Sequence, residues 1–129
     1  MLKDDSETTV TVGTEDSTAT DDKTTITASG DVNIAAENTA TVNPTISATG
    51  VGAVAGVAGA TSINNINSKV TTNINNAEIN STGGSISGTA KNNFNVDAYI
   101  GGIAAAAVGV GASVTVNTID STVQTNVNN

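Results

Sequence analysis

Few side chains of this chain are able to do chemistry. It has no His and no Cys, and its four basic residues are all Lys. Acid–base and nucleophilic work would therefore fall to twelve carboxylates, four ammonium groups and the hydroxyls of Ser, Thr and Tyr99. The nearest thing to a hydrolytic pair is Asp97 and Asp120, which stand 23 residues apart in otherwise neutral sequence. Two carboxylates without Arg or His beside them make a poor hydrolase, even if one turn of a repeat brought them together. The chain is expected not to be an enzyme and to carry no catalytic residue. Asp4, Asp5, Glu7, Asp21 and Asp22 offer hard oxygen ligands to calcium. Neither an EF-hand loop nor the Gly-Gly-x-Gly-x-Asp nonapeptide of calcium-loaded β-rolls is present, so no metal and no cofactor are expected.

The charge itself is lopsided. Residues 1–37 hold nine acids (Asp4, Asp5, Glu7, Glu15, Asp16, Asp21, Asp22, Asp31 and Glu37) against Lys3 and Lys23. After them only Glu78, Asp97, Asp120, Lys69 and Lys91 are charged, and the net charge is −8. No basic groove able to neutralise phosphates can be assembled, which excludes nucleic acid as a partner. The acidic stretch reads instead as a solvated strip that opposes edge-to-edge aggregation. Without Cys the fold has no disulfides, which is compatible with an oxidising compartment. The start, MLKDDSETTV, lacks the apolar core of a secretory signal, so export implies a longer precursor.

The elements that position these residues come from a repeat. INNINSKVTTNINN at 63–76 returns as VNTIDSTVQTNVNN at 116–129, identical at eight of fourteen positions and offset by 53. Upstream, Gly56-Val57 falls on Gly109-Val110 inside two runs of small residues, GVGAVAGVAGA at 50–60 and GGIAAAAVGVGA at 101–112. Val42-Asn43-Pro44-Thr45-Ile46 lies on Val96-Asp97-Ala98-Tyr99-Ile100 one residue out of register, so the unit accepts a single insertion. Self-similarity at a fixed spacing marks solenoids, whose units bury an apolar face only against the next unit. With roughly 20–45 residues per solenoid unit, the 53-residue offset corresponds to two coils.

Thr, Val, Ile and Asn favour strands over helix interiors, because β-branched side chains are stiff at χ1 and Asn competes for backbone hydrogen bonds. From Lys23 onward the chain is a series of strand-length strings: TTITA at 24–28, DVNIA at 31–35, ATVN at 40–43, KVTTNIN at 69–75, AEIN at 77–80, GSISG at 84–88, NFNVDAYI at 93–100, ASVTVNTI at 112–119 and STVQTNV at 121–127. Turn signals fall at Ser29-Gly30-Asp31, Asn75-Asn76, Gly83-Gly84, Lys91-Asn92-Asn93 and Gly101-Gly102. Residues 1–23 read as an acidic extended edge or linker in which only TVTV at 9–12 alternates like a strand. Phe94 and Tyr99 are the only aromatics, fewer than a hairpin sandwich normally carries; antiparallel hairpins could produce the same strings, but the sequence favours a narrow interior of stacked Val, Ile, Ala, Thr and Asn. Asn at turns tolerates left-handed geometry and can pair with the Asn one coil away. Ile63, Ile66, Val70 and Ile74, with their counterparts Val116, Ile119, Val123 and Val127, are the expected core.

TTITASGDVNIAAENTATV at 24–42 resembles the coil repeats of filamentous-haemagglutinin-like exoproteins and large autotransporter adhesins. GGIAAAAVGVGASVTVNTIDSTVQTNV at 101–127, with its relative at 50–76, resembles blocks of fusobacterial-type leukotoxin and adhesin repeats. The resemblance covers most of 24–129. It implies a right-handed parallel β-helix displayed or shed at a Gram-negative cell surface, and supplies no catalytic residues.

The expected architecture is all-β: an acidic edge at 1–23 and a right-handed parallel β-helix, or β-solenoid, over 24–129, with a short Gly/Ala-rich segment as a candidate cover. The expected function is an adhesive stalk segment of a large secreted surface protein, outside the cell, presenting side-chain rows to a host or bacterial cell-surface receptor. Two alternatives stand beside it. One is a membrane-active toxin repeat using the Gly/Ala runs, since Gly52–Gly56 is a GxxxG unit and residues 46–63 are uncharged. Its low transfer energy and missing aromatic or basic flanks argue against insertion. The other is a self-assembling fibre subunit associating end to end, with residues 1–22 opposing assembly. Thr-x-Thr at 9–11, 18–20, 25–27 and 39–41 is spaced too irregularly for an ice-binding plane, and Asn80-Ser81-Thr82 is a chance sequon.

Overall fold

The computed structural model describes residues 1–14 and 23–128; Glu15, Asp16, Asp21, Asp22 and the Thr-x-Thr at 18–20 lie outside the described residues. Those described form nine strands and no helix: β1 (Leu2–Gly13), β2 (Thr24–Ala28), β3 (Val32–Val42), β4 (Thr45–Val51), β5 (Ala55–Asn75), β6 (Ala77–Ser81), β7 (Ile86–Val96), β8 (Tyr99–Ala105) and β9 (Val108–Asn128). They pair as a three-stranded sheet β1-β5-β9 and three two-stranded sheets, β2-β6, β3-β7 and β4-β8.

Pairing is parallel, and its register is the sequence offset. Thr24 to Ala28 lie opposite Ala77 to Ser81, an offset of 53. Thr45 to Val51 lie opposite Tyr99 to Ala105, an offset of 54. Side-chain bonds give 54 for β3 on β7, from Glu37–Lys91 and Asn38–Asn92, and 53 for β5 on β9, from Asn64–Asn117 and Asn73–Asn126. In these four pairs hydrogen-bonded neighbours are one offset apart, so the 53-residue return corresponds to a single step, not the two coils expected; β1 lies on β5 at 62 instead. The long strands β5 and β9, 21 residues each, account for the large unit. The one-residue insertion lies in a turn: Ser29-Gly30-Asp31 joins β2 to β3, whereas Thr82-Gly83-Gly84-Ser85 joins β6 to β7. The register returns to 53 at the next turn but one, where three residues separate β4 from β5 and two separate β8 from β9.

Several local expectations are corrected. Lys91-Asn92-Asn93 and Gly101-Gly102 are not turns; they lie inside β7 and β8. The strings at 31–35 and 40–43 are parts of the single strand β3. The Gly/Ala runs form no separate cover, because residues 55–60 open β5 and residues 101–105 close β8. Residues 2–13 are one strand at the edge of the three-stranded sheet, longer than TVTV alone. Turns do fall at 29–31, at Asn76 and around Gly83-Gly84. Asn76 takes φ 44° and Gly13 φ 97°, the left-handed region that Asn and Gly enter at least cost. At Gly13 a side chain would also strike the Asn75 carbonyl.

Contacts divide the chain into two compact units. The first comprises Met1–Asp5, Ala40–Asn67 and Phe94–Asp120. Here β5 and β9 lie against β4 and β8 with little room. A Cβ on Gly50 would collide with the Val57 carbonyl, and one on Gly102 would stand 3.7 Å from Ala58 Cβ. The inward row of β5 is accordingly Gly56, Ala58, Ala60, Ser62 and Asn64, all buried.

The second unit comprises Ser6–Thr39, Ser68–Asn93 and Ser121–Asn129. Its interior takes Ile34, Ala36, Val70, Thr72 and Ile74. Opposed strands are tied across it by side chains: Thr72 Oγ1 donates to the Thr89 carbonyl at 2.7 Å and Asn38 Nδ2 to Ser68 Oγ at 3.1 Å, while Asn38 Nδ2 also donates to Asn92 Oδ1 on the neighbouring strand at 3.1 Å. Asn92 in turn donates to Ser121 Oγ at 2.7 Å. Each buried polar group in this chain of bonds finds a partner, which offsets the cost of removing it from water.

Of the eight expected core residues three are buried. Ile66, Val70 and Ile74 are buried, whereas Ile63, Val116, Ile119, Val123 and Val127 are exposed. Ile63 and Val116 occupy the outward rows of β5 and β9. Ile119, Val123 and Val127 share the inward row of Ile66, Val70 and Ile74, yet β9 is an edge strand with a neighbour on one side only.

Candidate interaction surface

The described residues contain no group of three or more His, Asp, Glu or Cys able to hold a metal. Three ion pairs lie at the surface: Lys3–Asp5 at 2.8 Å, Lys69–Glu7 at 3.1 Å and Lys91–Glu37 at 2.9 Å. The Lys3 ammonium, and after it the amide of Asn67, hold the Asp5 carboxyl below its ordinary range, while the same pairing raises Lys3. Asp97 and Asp120 carry no such partner bond to each other; Asp97 binds through its main chain, its N–H donating to the Val42 carbonyl at 2.9 Å. The three described Thr-x-Thr copies lie in β1, β2 and β3, which belong to three different sheets and give no common plane. A cleft of about 520 Å³ in the first unit is lined by Leu2, Lys3, Asp4 and residues 40–44. Its only charges are Lys3 and Asp4, with Lys3 already held by Asp5, so no convergent set of groups forms there.

What the first unit does present is an outward apolar row. Along β5 the small residues Gly56, Ala58, Ala60 and Ser62 point in and Val57 and Ile63 point out, the reverse of the usual amphipathic strand. The register of 53 sets Val110 beside Val57, Val114 beside Thr61 and Val116 beside Ile63. Val57 is 77% exposed and Val110 57%. Exposed apolar side chains set side by side make this row the candidate interaction surface. In the second unit the outward rows are polar: Asn126 donates to Asn73 at 2.9 Å and Asn128 to Asn75 at 3.0 Å, beside the Lys69–Glu7 pair.

Sequence reasoning passed over the Val row because it assigned large residues to the interior. The signal was the alternation itself at 55–63, where every second residue is Gly, Ala or Ser. Where opposed strands approach too closely for anything beyond a methyl group, the larger set must face out. No helix is long and apolar enough to cross a membrane among the described residues. No family model, no curated protein and no solved structure matches the chain.

Proposed function

We propose that this chain is a segment of a right-handed parallel β-helix that serves as an adhesive stalk of a secreted bacterial surface protein, and that it is not an enzyme. One observation carries the reading: β6 and β8 pair in parallel with β2 and β4 at steps of 53 and 54 residues, the offset at which the sequence repeats. Such a structure extends by repetition and displays rows of like side chains, which suits spacing and contact better than a cupped site for chemistry. The outward Val row of the first unit is the contact surface in this reading, and its partner is a receptor on a host or bacterial cell.

The test has two arms. The chain has no Cys of its own, so Asn73→Cys with Asn126→Cys should form a disulfide, since parallel neighbours lie about 4.8 Å apart and within reach of the bond. Asn73→Cys with Ser121→Cys should not, and equal oxidation of both pairs would end the β-helix reading. Beads coated with the chain should then adhere to cells, and replacing Val57, Val110, Val114 and Val116 together by Thr should abolish adhesion while strand content is kept. Leakage of dye from anionic liposomes in place of adhesion would favour the toxin repeat.

A further inference from the structure

The outward row of the first unit is neutral, although the chain as a whole carries a net charge of −8. Along β5 it runs Ala55, Val57, Gly59, Thr61 and Ile63, and the register of 53 sets Val108, Val110, Ala112, Val114 and Val116 beside them on β9. No charge falls between residues 46 and 68 or between 98 and 119. Side chains that point out of a sheet keep facing outward whichever strand pairs alongside, so this face does not depend on what adjoins β9. Val108, Val114, Val116 and Ile63 are exposed together with Val57 and Val110. Between the pair Val57 and Val110 and the pair Thr61 and Val114, the small residues Gly59 and Ala112 leave a notch. Beyond Ile63 the row turns polar and then acidic: Asn65 and Asn67 follow on β5, Thr118 and Asp120 on β9, and the Asn67 amide donates to the Asp5 carboxylate on β1.

We infer that this row packs face to face against the same row of a second copy of the chain, the two running antiparallel about a two-fold axis at Gly59 and Ala112. This rests on the reading of the row as a contact surface and names its partner, so the adhesion it serves is between like surfaces. Charge selects the occupant. Two copies of an acidic chain repel where their carboxylates meet, and they approach at least cost over a neutral face. A lipid surface fits less well, because the row has no aromatic or basic residue to anchor it and anionic headgroups repel a chain of net charge −8. Charge also selects the direction. Stacked parallel and in register, the copies would set Asp120 against Asp120 and Asp5 against Asp5, like charges directly opposed. Turned antiparallel about Gly59, the two Asp120 residues stand about 50 Å apart, far beyond the Debye length. The same turn matches large residues to small: Ile63 meets Ala55 of the second copy, Val57 meets Thr61, and the notch at Gly59 and Ala112 lets the facing side chains interdigitate. A row about 27 Å long and 10 Å wide is smaller than the roughly 800 Å² per partner of a stable dimer, so one contact is weak and gains strength by multiplicity on a surface.

Sedimentation equilibrium of the full chain at concentrations up to about 1 mM reads the pairing, and a monomer–dimer equilibrium with a Kd of about 10–100 µM is expected. Val57→Lys and Thr61→Glu change exposed side chains only, so each should keep the strand content while weakening the dimer about tenfold or more. An equimolar mixture of these two variants should recover the dimer, because residue 57 of one copy meets residue 61 of the other and the new charges are opposite. A mixture of Val57→Lys with Val57→Glu should stay monomeric, since antiparallel packing keeps those positions about 13 Å apart. Recovery in that second mixture would show parallel stacking and overturn the inference. So would a folded chain that remains monomeric throughout, or a dimer that Val57→Lys leaves intact. If coated beads adhere to cells through the Val row while the chain stays monomeric, the adhesive reading stands with a foreign receptor and the inference alone falls. If the chain dimerises as expected while the beads do not adhere, the pairing stands and the adhesive reading falls.

Discussion

Asn64 Nδ2 donates to Asn117 Oδ1 at 2.7 Å, and the two residues are the same position of the repeat in successive copies. Asn64 is buried at 1% exposure and accepts a second bond from Ser62 Oγ at 3.3 Å. An amide pairs with its own copy because it is both donor and acceptor, so a column of identical Asn residues satisfies itself when strands run parallel and in register. A shift of one residue would put Asn64 opposite a position that faces outward, because side chains alternate along a strand. The ladder therefore stabilises the pairing and also specifies it.

Asn117→Ala should cost about 1–3 kcal/mol, since it leaves the buried amide of Asn64 short of its acceptor. Asn128→Ala breaks a bond of similar length to Asn75 at the surface, where water replaces it, and should cost about 0.5 kcal/mol or less. Urea unfolding of the two variants gives the comparison, and equal losses would show that burial does not set the value of the ladder.

Much of the strand pattern was legible in the sequence, for reasons tied to particular residues. The return of 63–76 at 116–129 gave the register, Val42 on Val96 gave the shift to 54, and Asn76 gave a left-handed turn. Step length and burial were less legible. Val70 and Val123 occupy the same repeat position, yet one is fully buried and the other 46% exposed. Burial here depends on having strands on both sides, which no local pattern encodes. The outward Val row was missed for a related reason: at 55–63 the spacing between opposed strands, not hydrophobicity, decides which residues fit inside.

Thr71 is buried, and its Oγ1 is the one buried side-chain polar atom of the described residues without a hydrogen-bond partner. Thr and Val have nearly the same shape and both suit a strand. Thr71→Val should stabilise the fold by about 1 kcal/mol, because an unsatisfied hydroxyl is exchanged for a methyl group at no cost in packing. A lowered urea midpoint would reveal a partner for that hydroxyl.

Lys3 and Asp5 give a pH dependence with a defined sign. Asp5 is lowered in the fold, chiefly by its hydrogen bond from Lys3, so its contribution is present above the ordinary carboxylate value of 3.8 and lost as pH falls through the lower folded value. Lys3 is raised by the hydrogen bond to Asp5 and by its charge, so its contribution is present below 10.5 and lost as pH rises through the higher folded value. Both side chains are exposed at the surface and their pairing is screened by salt. NMR titration should place the Asp5 carboxyl below that of a model peptide, and Lys3→Met should return it toward the ordinary value. An Asp5 titration unchanged in that variant would assign the shift to Asn67 instead.

Ile66 and Ile119 separate the effect of neighbours from the effect of sequence. Both are Ile, both occupy the inward row of their strands, and they stand 53 residues apart at the same repeat position. Ile66, on the central strand β5, is 0% exposed; Ile119, on the edge strand β9, is 51% exposed. Ile66→Ala removes fully buried methyl groups and leaves a cavity, at a cost of about 2–5 kcal/mol. Ile119→Ala gives up only part of the transfer energy and leaves no closed cavity, so it should cost about 1 kcal/mol. Ile66→Asp should prevent folding, whereas Ile119→Asp should fold with a modest loss, since its carboxylate can reach water. Equal destabilisation by Ile66→Ala and Ile119→Ala in the free chain would mean that β9 is already covered in solution.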